Sequence, residues 1–335
     1  MRGNVRSLLR ELLATLMTGK VVSPKVSVSI LTFNHGAWLG ECLDSVLGQD
    51  TKFPFEVIVG DDASTDGVTR EILVDYARKF EGKLMAILRE KNMGITNNYI
   101  DVTAHCRGEY IAYIDGDDRM LPGKLQKQAD FLDTHPECSI VAHEMRVFNT
   151  ATNDTVRARF HSGVVPEIAD MNFLVMNGCY FAHSSKMYRK SAIISSQRPS
   201  LTIDFFWHVE QAYGGKIGYI AEVLGEYRKS LNSLSDIRGS LIRQTIRGHL
   251  DAYQRALELG CEPEAVFQGR VRFKYIHAME MLHHGMYDQF KDLIRIDREE
   301  RKFATLRHKV VAAMSVFPTP LRWIKKIFVR AQGRK

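Results

Sequence analysis

The sequence predicts an α/β fold, a mainly parallel sheet flanked by helices, with a helical C-terminal extension. Three observations carry that expectation. Apolar runs of strand length alternate with amphipathic segments of helix length through the first half, the pattern of a parallel sheet with helical crossovers. Two of these runs end in acidic clusters, "DDASTDG" and "DGDD", where loops would leave strands. From about residue 240 to 300 the chain reads as two or more helices, among them "LIRQTIRGHLDAYQRALELG", stopped at Gly260.

The elements follow in order. "VSVSIL" (Val26 to Leu31) is the first strand, and a helix over Ala37 to Leu47 follows, stopped near Gly48. "FEVIVG" (Phe55 to Gly60) is the second strand, and the helix after it is expected to turn Val68, Ile72, Leu73 and Tyr76 inward. "LMAIL" (Leu84 to Leu88) is the third strand, a helix spans about Ile95 to Cys106, and "YIAYI" (Tyr110 to Ile114) is the fourth. Ligands of open parallel sheets gather at the carboxyl ends of the strands, so both acidic loops are expected on one edge. Beyond Glu144 the alternation weakens into a polar excursion, "TNDTVRARFHSG", and a mixed segment, "FLVMNGCYFAHSSKMYRKSAI". The resulting plan is an N-terminal amphipathic helix over residues 1–24, a catalytic domain over 25–235 and a helical extension with a basic amphipathic tail over 236–335.

Composition narrows the class. A chain of 335 residues with 45% hydrophobic content can bury a substantial core. Its five cysteines are scattered, without the spacing of a disulfide framework or a zinc site, which fits a reducing, cytoplasmic setting. The formal charge is +7, yet residues 301–335 alone hold ten Lys/Arg and no Asp/Glu. Positive charge confined to one end, with no nucleic-acid motif, argues against a nucleic-acid partner and for an anionic membrane surface.

Both termini are amphipathic. "RSLLRELLATLMTGK" sets Leu8, Leu9, Leu12, Leu13, Leu16 and Met17 at helical spacing opposite Arg6 and Arg10, too short and too charged to span a bilayer. Arg10 and Glu11 interrupt the apolar run and no small-residue cleavage site follows, unlike a signal peptide. In "LRWIKKIFVRAQGRK", Leu321, Ile324, Ile327 and Phe328 share a face flanked by Lys325, Lys326 and Arg330. Such a helix lies peripherally in the headgroups of the inner membrane face or packs on its own domain, and periodicity does not separate the two.

The chemistry centres on "YIDGDDRMLP", which places Asp115, Asp117 and Asp118 within four positions after a buried run. Repulsion among them calls for a positive partner. The spacing of Asp115 and Asp117 lets two carboxylates on a turn address one divalent ion and one ligand hydroxyl. Oxygen-rich sites of this type suit Mg²⁺ or Mn²⁺, which complete their shells with substrate phosphates and neutralise a diphosphate leaving group. The alternative is a solvated turn in which Asp118 caps a helix beginning near Pro122.

Four segments in the same order, "VSVSILTFNHGAWLGECLDSVLGQD", "FEVIVGDDASTDGV", "NMGITNN" and "GEYIAYIDGDDRMLP", resemble the family 2 glycosyltransferases with a GT-A (Rossmann-like) fold. The resemblance covers about residues 25 to 150. It rests on Thr32-Phe33-Asn34, on Asp61-Asp62 with Ser64 and Asp66, and on Asp115-Gly116-Asp117-Asp118. It implies a nucleotide-sugar donor bound by Thr32, Phe33, Asn34, Asp62, Asn92 and Asp115. Phe33 would lie against the base, Asp62 would accept from the imide N–H of uracil or thymine, Asp115 would hold ribose or sugar, and Asp117 would ligate the metal. A carboxylate facing the imide rejects bases without a donor there, because the wrong partner leaves a buried charge unpaired. Phe33 stands where the family usually has Tyr, and "GITNNY" lacks the Arg that many members carry.

Inversion at an anomeric carbon needs a carboxylate within reach of the acceptor hydroxyl. "LTIDFFWHVEQAYGGKIGYIAEVLGEYRKS", with Tyr227-Arg228 downstream, resembles the region that supplies it in the family and implies Asp204 as the catalytic base. Ile203 departs from the usual acidic neighbour, Glu210 is the fallback, and helix N-capping is the structural alternative for Asp204. His183 and Trp207 are the acceptor-binding candidates; both also read as core residues. The acceptor would be a glycan or lipid-linked saccharide in cell-surface polysaccharide or glycoconjugate assembly. A sugar nucleotidyltransferase would show a Gly-rich, cationic first loop, and "TFNHGAW" has one Gly and no Lys or Arg. A non-catalytic nucleotide-sugar-binding subunit would have no need of the full set of Asp62, Asp115, Asp117 and Asp204.

Overall fold

In the computed structural model, residues 23–149, 154–160, 163–193, 202–229 and 242–315 are described. The predicted helices at residues 1–24 and 321–335 lie outside them, apart from the last two residues of the first.

The first half builds as the alternation predicts. β1 (Val26–Thr32), β2 (Phe55–Asp61), β3 (Leu84–Leu88) and β4 (Tyr110–Asp115) are parallel, joined by α1 (Leu39–Leu47), α2 (Val68–Lys79) and α3 (Ile95–His105). Gly48 closes α1 as expected. Within α2, Leu73 is fully buried, but Val68 at its first turn is 49% exposed and does not face inward. β5 (Arg119–Met120) and α4 (Lys124–Thr134) complete this half.

The second half holds two long strands that its composition did not announce, β6 (Cys138–Asn149) and β10 (Lys216–Lys229). Between them lie β7 (Thr155–Arg157), β8 (Ile168–Ala169), α5 (Met171–Asn177), β9 (Met187–Arg189) and α6 (Asp204–Ala212). The sheet runs β3-β2-β1-β4-β9-β6-β10-β5, with β7 beside β6 and β8 beside β10. β9 is antiparallel to both β4 and β6, whereas β10 is parallel to β6. The register shifts in the β6–β10 pair, at Ile220/Val223 and Val223/Gly225, obscure the period-2 pattern of β10.

Residues alternate between the two sheet faces. Val26, Val28 and Ile30 pack with Leu39, Leu43, Leu73, Leu125 and Leu132 on one side, while Leu31, Ile111 and Tyr113 join Tyr99, Val102 and Trp207 on the other. The C-terminal helices α7 (Ile242–Glu258) and α8 (Pro263–His283) enter that second layer through Ala252, Tyr253, Val266 and Phe273. They share the domain's core. The far part of α8, with α9 (Tyr287–Ile294) and α10 (Leu306–Met314), forms a separate small cluster around Leu282, Phe290 and Ile294. Among the described residues no helix is long and apolar enough to cross a membrane.

Candidate active site

The parallel register sets three loops side by side at one edge, because Thr32 pairs with Asp61 and Leu31 with Asp115. In the strand order β3-β2-β1-β4 the connections reverse direction at β1 and β4, where open parallel sheets leave a crevice.

The β1 loop is locked to the β2 loop. Asn34, in the left-handed region at φ 57°, accepts at Oδ1 from the backbone N–H of Thr65 (2.7 Å) and Asp66 (3.2 Å), and its own N–H donates to Ser64 Oγ (2.8 Å). Asp66 accepts from the N–H of Gly36 at 3.0 Å. These bonds leave the neighbouring Phe33 ring 43% exposed at the cleft. Asp62 is buried, and its two carboxylate oxygens accept from the N–H groups of Met93 (2.8 Å) and Gly94 (3.0 Å). Asn92 closes the same turn by donating to the Asp62 carbonyl at 2.9 Å.

The acidic turn leans on β1: a Cβ added at Gly116 would stand 3.0 Å from Thr32 Cβ and from His35 Nδ1. Asp115 accepts from Tyr113 Oη at 2.5 Å and from Ser184 Oγ at 3.2 Å, while its N–H donates to that same Ser184 oxygen at 3.1 Å. Asp118 does not cap a helix; it accepts from the Arg228 N–H at 2.8 Å, and α4 starts beyond Gly123, at φ 84°. Asp117 is half-buried, and no side chain among the described residues hydrogen-bonds its carboxylate.

The positive charge that three carboxylates demand comes from Arg228, distant in the chain, and from Lys124, six residues after Asp118. Arg228, nearly buried, donates from Nε to the Asp117 carbonyl (2.7 Å) and from Nη2 to Glu41 (2.8 Å), its guanidinium 4.6 Å from the Phe148 ring centroid. Lys124 is buried below the turn and donates to the Ser184 carbonyl at 2.6 Å. Even so, burial and the charge of Asp117 push Asp115 up to about 6, and burial with both neighbours pushes Asp118 well above the usual carboxylate range. Burial lowers Lys124 to about 7 against the pull of Asp118.

Asp204 begins α6 beside this turn. The N-cap position is held by Ile203, the Asp204 carboxylate accepts from its own backbone N–H, and its side chain stays 58% exposed at the cleft floor. Burial of its surroundings and the charge of Asp115 raise its pKa, opposed by Lys186, and the water at its carboxylate tempers the shift. His183 lies beneath, with Nδ1 3.8 Å from Asp204 Oδ1 and 3.2 Å from His208 Nε2, and its ring is 4.0 Å from that of Tyr113. Burial first, then the charge of Lys186, holds both histidines far below 6.5 and therefore neutral.

The sequence profile of Glycosyl transferase family 2 matches residues 27–195, half of the chain. The chain belongs to glycosyl transferase family 2. A Mycobacterium tuberculosis relative, Rv1520, named as uncharacterized, is 33% identical over 215 residues, 62% of this chain and 60% of that protein. EpsE of Bacillus subtilis, which carries a glycosyltransferase name, is 33% identical over 169 residues, 50% of this chain and 58% of EpsE. The chain thus spans about 60% of the length of these relatives. Residues 1–349 of Staphylococcus aureus TarS, solved with UDP-GlcNAc, share the fold with a TM-score of 0.67 over 92% of both chains at 17% identity.

In this family 2 chain the structure brings Thr32, Phe33, Asn34, Asp62, Asn92, Asp115, Asp117, His183 and Asp204 to one sheet edge. Trp207 is instead 5% exposed, its ring 4.4 Å from Tyr99, on the wall of a cavity of about 250 Å³ between α3 and α6. The fallback base Glu210 is buried and paired with Arg255 of α7 at 2.5 Å. Sequence reasoning missed Ser184 and Tyr113 as the supports of Asp115, and Lys124 and Lys186 as buried cations. Their only signal was Lys or Ser within strand-flanking apolar stretches. Among the described residues no group of three or more His, Cys, Asp or Glu is gathered to hold a metal. Asp117, half-exposed with a carboxylate that no described side chain hydrogen-bonds, fits an ion that takes one protein ligand and fills its shell with phosphate oxygens and water.

Proposed function

We propose that this chain is an inverting glycosyltransferase that moves one sugar from a UDP- or dTDP-sugar to a hydroxyl of a glycan or lipid-linked saccharide in cell-surface polysaccharide or glycoconjugate assembly. One observation carries the reading: Asp204 is open to solvent within electrostatic reach of Asp115, on the sheet edge that also carries the exposed Phe33 ring. Phe33 offers a flat face to a base. Asp62, fixed by two backbone N–H groups, keeps a lone pair on each oxygen for an imide donor.

Asp204 takes the proton of the acceptor hydroxyl as that oxygen forms a bond to the anomeric carbon. The bond from that carbon to the diphosphate oxygen breaks on the opposite face, and its electron pair leaves with the nucleoside diphosphate. A raised pKa suits a carboxylate that must accept a proton near neutral pH. Asp117 would hold Mg²⁺ or Mn²⁺, which would neutralise the leaving diphosphate. The basic residues of 301–335 suit the chain to the inner face of an anionic membrane.

The test is thermal shift with a panel of nucleotide sugars in Mn²⁺ or Mg²⁺. UDP- and dTDP-sugars should raise Tm and ADP-sugars, whose base has no ring N–H to give Asp62, should not, since ligands of the native state stabilise it. A panel with no shift, or a metal-dependent shift that survives Asp117→Ala, would sink the assignment.

A further inference from the structure

Lys186 precedes β9 and is completely buried. Its Nζ donates to Gln211 Oε1 at 2.8 Å and stands 5.3, 5.8 and 5.9 Å from the ring centroids of Tyr188, Tyr99 and Tyr113. The cage is rigid: Gln211 Nε2 donates to Tyr99 Oη at 3.0 Å, and the hydroxyls of Tyr99 and Tyr188 bond at 2.9 Å. Among the described residues no carboxylate lies within ion-pair distance of Nζ. A buried ammonium without a contact anion is costly, and an apolar side chain of similar length would fill the space.

The surroundings show what that charge faces. The cage ring of Tyr113 donates from its hydroxyl to Asp115 of β4 at 2.5 Å and lies 4.0 Å from the His183 ring, whose Nδ1 stands 3.8 Å from Asp204 Oδ1. A single layer of rings thus separates the ammonium from Asp115 and Asp204. The other ionisable groups facing it are His208 from α6, Cys179 from the segment after α5, Tyr99 and Tyr188. The two carboxylates, Asp115 and Asp204, both belong to the site. Three ring faces and an amide oxygen favour the charged form of the amine.

We propose that Lys186 is a positioning residue that acts through Asp204: its caged ammonium, held behind the cleft floor, keeps the Asp204 carboxylate ionised and ready to take the acceptor's proton. This rests on Asp204 being the base. Burial brings Lys186 itself down to about 7, so the effect belongs to the neutral and acid side.

The test titrates Asp204 directly in the full chain, by the carboxyl ¹³C shift of labelled aspartate, with the signal assigned by its absence in Asp204→Asn. In Lys186→Met the Asp204 pKa should rise by about one unit, the size expected of one nearby unit charge at intermediate dielectric. Gln211→Leu, which leaves the lysine without its acceptor, should move it the same way by less. An Asp204 pKa unmoved in Lys186→Met overturns the inference, and where that variant fails to fold, an unmoved value in Gln211→Leu does so. The acid limb of turnover, followed as UDP release from a panel of UDP-sugars, should move with the pKa while donor KM stays put; loss of turnover equal at every pH would assign Lys186 a structural role. Asp204→Asn with normal turnover would instead remove the base assignment and leave the titration result standing.

Discussion

Arg228 donates from its side-chain Nε to the backbone carbonyl of Asp117 at 2.7 Å. The bond joins the end of β10 to the acidic turn 111 residues earlier, and Arg228 adds its own N–H to Asp118. A guanidinium so placed fixes the backbone of the turn while leaving the Asp117 carboxylate clear.

Replacing Arg228 by Ala keeps the backbone N–H that serves Asp118 but removes the donor to the Asp117 carbonyl and leaves Glu41 with Arg119 alone. Hydrogen bonds to charged groups contribute about 1.5–3 kcal/mol each, so denaturant unfolding should show a loss of about that size. Donor KM should rise more than kcat falls. Arg228→Lys should recover little, because a point charge cannot bridge a carbonyl and a carboxylate as the fork does.

Asp204→Asn should lower transfer by about 10²–10⁴-fold, the usual contribution of a positioned base. Donor binding, measured by calorimetry, should stay as in the parent chain, since the base serves the acceptor. In the parent chain kcat should fall as pH drops through the raised pKa of Asp204, above the ordinary carboxylate range. A kcat that stays flat down to pH 4 would contradict this.

Phe33→Ala tests the base platform. With the ring already 43% exposed, Tm should hardly move. Donor affinity should drop about tenfold or more, as expected when a stacking face is removed.

Acid should destabilise the fold through its buried histidines. His143, His183 and His208 are held well below 6.5 by burial and by buried lysine charge, and burial brings His249 to about 4. The unfolded chain takes up protons below about pH 6.5 that the folded chain refuses. Their contribution is therefore intact above that pH and is lost as pH falls toward the folded values, at up to about 1.4 kcal/mol per pH unit for each. Asp115 and Asp118, held above the ordinary carboxylate range, act in the opposite sense, so the check is the change in urea stability between pH 7.5 and 5 in the parent chain against that in His143→Gln. His143→Gln should flatten the dependence by one histidine's share.

What the sequence determined alone is what local patterning encodes. Strand period, helix period and loop composition placed β1 to β4, the acidic loops at their carboxyl ends, and Asp204 ahead of an amphipathic helix. Parallel pairing then leaves those ends only one shared edge. Motif order carried the resemblance to the family, which the match over residues 27–195 bears out.

Only the tertiary structure decided what surrounds the carboxylates. Ser184 meets Asp115 across 69 positions, Arg255 takes Glu210 across 45, and Arg228 reaches Glu41 across 187. Such pairs depend on strand register and helix packing, which no short window of residues specifies. The shifts in the β6–β10 register hid β10 for the same reason, since a bulge breaks the very periodicity from which a strand is read.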